Sequence, residues 1–70
     1  MPTHRAGILF RAKESESEPT IEVQQAGGDA DILPDNLYFE LKRGTSLKEA
    51  EKIASYLREN IAGILSITRQ

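Results

Sequence analysis

The sequence predicts an α+β domain: a small antiparallel meander of three strands, one amphipathic helix packed on one face, and a C-terminal fourth strand, in the order β-β-β-α-β. Three observations predict it. Residues 37–42 alternate strictly, with Leu37, Phe39 and Leu41 on one side and Tyr38, Glu40 and Lys42 on the other, the period of a half-buried strand. Within residues 44–63, Leu47, Ala50, Ile53, Ala54, Leu57 and Ile61 recur at helical spacing. A chain of 70 residues holds one core, so residues 1–70 form a single domain.

Taken in order, residues 1–4 read as a frayed end. Arg5 to Lys13 is the first strand, with Ile8, Phe10 and Ala12 on one face and Leu9, Arg11 and Lys13 on the other. Glu14-Ser15-Glu16-Ser17-Glu18-Pro19 has no apolar anchor and reads as a mobile acidic loop between antiparallel strands. Thr20 to Gln25 is the second strand, Ile21 and Val23 sharing its inner face. Residues 26–31, with Gly27 and Gly28, break it. Ile32-Leu33-Pro34 is a short apolar plug, and Pro34 holds Leu33 extended. Leu37 to Lys42 is the third strand.

The helix has a readable start. Ser46 is its N-cap, and Glu49 three residues later completes a capping box. Gly63 stands where a left-handed C-cap would. Ile64 to Thr68 is rich in β-formers and reads as the last strand. Short connections make the first three strands a meander. The helix then covers the face that carries Phe39 and Leu41. A right-handed crossover would set the last strand parallel to the third strand or to the first. The expected core joins Ile8, Phe10, Ile21 and Val23 to Leu37, Phe39, Leu41, the helix stripe, Leu65 and Ile67. On that reading, replacing Phe39 or Leu57 by alanine costs about 2–5 kcal/mol.

Composition narrows the function. Net charge is −2, with both signs interspersed, which argues against a general nucleic-acid or anionic-membrane binder. There are no cysteines, so disulfides and thiolate metal sites are excluded, and a reducing compartment fits. The longest apolar run, Ile8-Leu9-Phe10, is too short for a signal peptide or a membrane span. The expected location is the cytoplasm. A domain this small often gains burial by oligomerising, so a homodimer is a candidate state.

Few residues carry chemistry. Asp29, Asp31, Asp35 and Glu40 have a calcium-loop spacing, but Leu33 and Pro34 occupy positions where such a loop needs a ligand and a glycine. No metal or cofactor is expected. His4 is the only histidine, and neither a G-x-S-x-G elbow nor a metal-binding histidine pair is present. No catalytic residue is assigned, and an enzyme is not expected. The helix start is a candidate anion pocket, because backbone N–H groups there lie beside Lys42, Arg43, Gly44, Thr45 and Ser46. Ser46 and Glu49 compete for the same N–H groups. A candidate interface comprises Tyr38 and Glu40 on the wet side of the third strand, with Ile64 and Ser66 on the last.

Gly44-Thr45-Ser46-Leu47-Lys48-Glu49-Ala50, following Pro34-Asp35 and a strand, resembles the third strand and helix start of HicB-type antitoxins. The resemblance implies a β-β-β-α-β domain that dimerises. The Pro-Gly-Cys turn of that family is missing here, and no functional residue carries over. Three functions are therefore set side by side. The first is a small non-enzymatic accessory domain of bacterial type, acting through protein contacts with a protein partner or with itself. The second is a nucleic-acid-associated or antitoxin-like regulator, acting through Lys13, Lys42 and Arg43. The third is a weak small-anion binder at the helix N-terminus.

Overall fold

β1 (Thr3–Ser15) and β2 (Glu18–Ala26) form an antiparallel hairpin whose register runs from Gly7↔Ala26 to Ser15↔Glu18. The computed structural model describes residues 3–15, 18–28 and 30–67. β3 (Leu37–Glu40), α1 (Leu47–Asn60) and β4 (Ile64–Ile67) complete the β-β-β-α-β order. The sheet order is β3-β2-β1-β4, and every neighbouring pair is antiparallel.

The hairpin is longer than expected. Glu14, Ser15, Glu18 and Pro19 belong to the strands, not to a mobile loop. Glu16 and Ser17, the rest of the expected loop, lie outside the described residues. Pro19 is tolerated because β3 begins to pair with β2 only at Thr20, so its missing N–H breaks no ladder on that side. β1 starts at Thr3 rather than Arg5, because β4 pairs with Thr3 to Ala6. β3 stops at Glu40, and Leu41 and Lys42 already belong to the turn into the helix.

The strand faces follow the expected alternation. Phe10 opposes Val23, and Ile21 opposes Phe39, so Phe10, Ile21, Val23 and Phe39 share the helix side. The core is Phe10, Ile21 and Val23 from the sheet with Ala50 and Ala54 from α1. Those two alanines are fully buried. With no longer side chain in the seam, the helix backbone lies close to the strands, and larger residues are pushed to its flanks. Leu47, Ile53 and Ile61, expected in the core, are therefore at least one-third exposed. Leu57 stays partly buried against the cluster.

Phe39 also differs from expectation. It points to the helix side, but α1 packs over β1 and β2 and not over β3. Its ring is 44% exposed and touches only the edge of the core, 6.2 Å from that of Phe10.

Two further corrections concern the end of the helix. Gly63 is not a left-handed cap. The cap is Ile61, in extended conformation (φ −106°, ψ 116°), with its N–H donating to Leu57 O at 2.8 Å. Glycine is required at 63 for space, because a Cβ there would run into the carbonyl oxygen of Ala6. Nor does the last strand cross over to run parallel. β3 is parallel to β1, α1 runs back, and a three-residue link that begins at the extended Ile61 carries the chain onward in the helix direction. β4 therefore meets β1 antiparallel.

The long connection between β2 and β3 is organised by one side chain that sequence patterning did not single out. Gln25 Oε1 accepts from the Ile32 and Leu33 N–H groups at 2.8 and 3.1 Å. Its Nε2 donates to the Gly27 and Ala30 carbonyls at 2.9 and 2.6 Å. This seats Leu33 against the core.

Two stability measurements check this packing. Ile21 has no exposed surface, so Ile21→Ala lowers stability in chemical denaturation by about 2–5 kcal/mol, against about 1 kcal/mol for the half-exposed Phe39→Ala. Gln25→Glu keeps the size but turns a donor into an oxygen facing two carbonyls. The expected cost is about 1–3 kcal/mol near neutral pH.

Candidate interaction surface

β1 outruns the sheet it belongs to. Residues 7–15 pair with β2 on one edge, whereas residues 3–6 pair with β4 on the other edge. α1 packs against neither β3 nor β4. Thr3–Ala6 and Ile64–Ile67 therefore form a two-stranded ribbon beyond the helix-covered part. A two-stranded ribbon alone is marginal in water. The molecule measures 42 × 23 × 18 Å, and its radius of gyration is 13.7 Å. A compact chain of this length would have a radius of about 11 Å.

The ribbon joins the body where three stretches of backbone meet. Ala6 is buried between Gly28, two residues past the end of β2, and Gly63, the residue before β4. A Cβ on Gly28 would come within 2.6 Å of Ala6 Cβ and 2.8 Å of Arg5 O. Its φ of +112° disfavours a side chain independently.

The register decides which side chains of β4 face outward. Ile64 opposes Ala6 and Ser66 opposes His4, so both lie on the helix side and are half-buried. Leu65 opposes Arg5 and Ile67 opposes Thr3 on the other face. They are 50% and 51% exposed. Leu65 and Ile67, expected in the core, are thus half-exposed, whereas Ile64 and Ser66, the candidate interface residues of this strand, are half-buried. The cause is the antiparallel register with β1. Among the described residues no further strand follows β4 in the sheet.

The other edges are guarded. Past β4, the outer edge of β1 carries Arg11 and Lys13, and Arg58 Nη1 reaches from α1 to the Phe10 carbonyl at 2.9 Å. β3 carries Glu40 at its end, with Lys42 following. β4 reads Ile-Leu-Ser-Ile, with no charge and no proline.

Tyr38 and Glu40 share the face opposite the helix, as expected. Tyr38 is tied into the sheet. Its hydroxyl makes a long contact of 3.5 Å to Glu22, whose carboxylate is paired with Lys13 Nζ at 3.0 Å. Glu22 is 8% exposed, so its charge is held by neighbours rather than by water. Alternation along β2 puts Glu22 on the face opposite Ile21 and Val23, away from the helix. Its burial comes from the long side chains of adjacent strands, which alternation does not register.

The helix start has the expected capping box. Ser46 Oγ accepts from Glu49 N–H at 3.1 Å, and Glu49 Oε1 accepts from Ser46 N–H at 3.4 Å and from Ser46 Oγ at 3.1 Å. Thr45 Oγ1 and N–H both donate to Lys42 O, at 2.7 and 3.1 Å. Lys42, Arg43, Gly44 and Thr45 line one hollow, but Glu18 and Glu40 line it too. An anion there would meet two carboxylates besides that of Glu49.

Asp29 of the calcium-like spacing lies outside the described residues, and Asp31 and Asp35 are exposed. Among the described residues no three His, Asp or Glu side chains are grouped to hold a metal, and no helix is long and apolar enough to cross a membrane. Comparison with protein-family models, curated proteins and solved structures finds no match to this chain.

The occupied cap generates two expectations. Ser46→Ala lowers stability by about 1 kcal/mol, read from the thermal midpoint. Millimolar phosphate leaves the amide resonances of Gly44 to Leu47 unmoved, because a carboxylate already occupies the helix start. Saturable shifts confined to those residues would contradict this.

Proposed function

We propose that this chain is a small non-enzymatic binding module that acts through protein contacts and self-associates, with the β4 end of the sheet as its contact surface. One observation carries the reading: a neutral, open strand edge, with Leu65 and Ile67 half-exposed beside it, on a ribbon that the helix does not cover. Unguarded strand edges invite pairing with another chain, and folded proteins usually block them. The polar side chains with the best geometry also serve the fold. Gln25 holds a loop, Glu49 caps the helix, Glu22 pairs with Lys13, and Arg58 caps the Phe10 carbonyl. The cysteine-free composition supports work in a reducing compartment, such as the cytoplasm.

Surface area supports the same reading. The molecule exposes 5543 Å². A compact monomer of 7.8 kDa would expose about 4,400 Å², an excess of about 1,100 Å². Each partner in a standard-size protein interface buries about 800 Å².

Sedimentation equilibrium over a range of concentrations tests the proposal. The expected mass rises toward twice 7.8 kDa and is insensitive to added salt, since the contact is apolar and uncharged. A mass that stays at the monomer value at every concentration would overturn self-association. An association that collapses as salt is raised would favour a charged partner surface instead.

A further inference from the structure

We infer that β4 pairs antiparallel with β4 of a second copy, about a two-fold axis through Ser66. This assignment rests on the self-association proposed above and specifies its geometry. It follows from edge chemistry and strand parity.

Edge chemistry selects β4. The outer edge of β1 has a guanidinium on the Phe10 carbonyl and two basic residues in the strand. The β3 edge ends in Glu40. Only β4, among the described strands, offers an edge with neither a charge nor a capping side chain (Ile64-Leu65-Ser66-Ile67).

Parity selects the register. Two identical antiparallel neighbours are related by a two-fold axis normal to the sheet, which keeps each face on its own side. Directly opposed residues share a face, so the axis must pass through a residue position. An axis at Leu65 would set Ile67 against Gly63, which lies outside the strand and is packed on the Ala6 carbonyl. An axis at Ser66 sets Leu65 against Ile67 of the second copy, and Ile67 against its Leu65. Both half-exposed side chains then gain an apolar cross-strand neighbour. Ser66 meets its own symmetry mate on the helix face. The combined sheet has eight strands, within the usual range for open sheets. Each marginal ribbon becomes the interior of a continuous sheet. The contact belongs to the isologous class: one patch serves both partners.

The absence of cysteine makes the register directly testable. Directly opposed residues have Cα atoms about 4.5–5.5 Å apart, within the span a disulfide needs. Under mild oxidation, Ser66→Cys is expected to form a covalent dimer in high yield. Tyr56→Cys, on the exposed side of the helix, serves as the control and should form at least tenfold less. Leu65→Lys is the second variant. It should weaken dimerisation at least tenfold in sedimentation while leaving the circular dichroism of the monomer unchanged. If Leu65→Lys does not fold, the cross-linking yields decide alone. A wild-type dimer whose Ser66→Cys yield matches that of Tyr56→Cys would overturn this register and leave self-association standing. A chain that stays monomeric at all concentrations would overturn both.

Discussion

The length of β1 is the constraint on which the rest of the molecule depends. Its 13 residues serve β2 on one edge, β4 on the other and α1 on one face. β2 uses residues 7–15 and β4 uses residues 3–6, so the two pairings are staggered rather than side by side. The stagger separates a helix-covered hairpin from a ribbon that α1 does not reach on its β4 side. It also fixes the small residues at the junction. Gly28 and Gly63 both approach Ala6 too closely for any side chain.

The packing of α1 deepens this division. Ala50 and Ala54 draw the helix down onto Phe10, Ile21 and Val23, which makes a tight but narrow core. Burial of that seam is the main favourable term the chain can draw on. The larger apolar side chains sit at its margins or beyond it, as Phe39, Ile53, Leu65 and Ile67 do. A 70-residue chain has little surplus stability. Apolar surface left outside so small a core is the physical ground for the proposed association, and the uncharged β4 edge is what would give it a direction.

Local chemistry was legible in the sequence, and non-local geometry was not. The capping box at Ser46 and Glu49 depends on two residues three apart, and it forms as read. The alternation of β1, β2 and β3 sets the correct faces, because a period of two is a property of each strand alone. Phe39 was misjudged because alternation gives the direction of a side chain but not how far the helix extends over it. Gly63 carries the usual mark of a helix cap, yet its constraint comes from Ala6, 57 positions earlier in the chain. The sides of Leu65 and Ile67 follow from the direction of β4, which depends on the extended exit at Ile61. Gln25 looks like an ordinary polar strand residue. Its four hydrogen bonds appear only once the loop from 27 to 33 has folded around it. Of the candidate site, the last strand itself was legible, but which of its side chains lie exposed was not, because that depends on its register with β1.

The central claim is that the β1–β4 ribbon lies outside the core of its own chain and is completed by a second copy. Native-state hydrogen exchange read against protein concentration tests it most directly. Protection of the amides of Ile64 to Ile67 should rise as concentration increases, while that of Ile21 and Val23 in the helix-covered hairpin stays level below the concentration at which dimers dominate. Protection at β4 that equals that of Ile21 and does not change with concentration would contradict the claim.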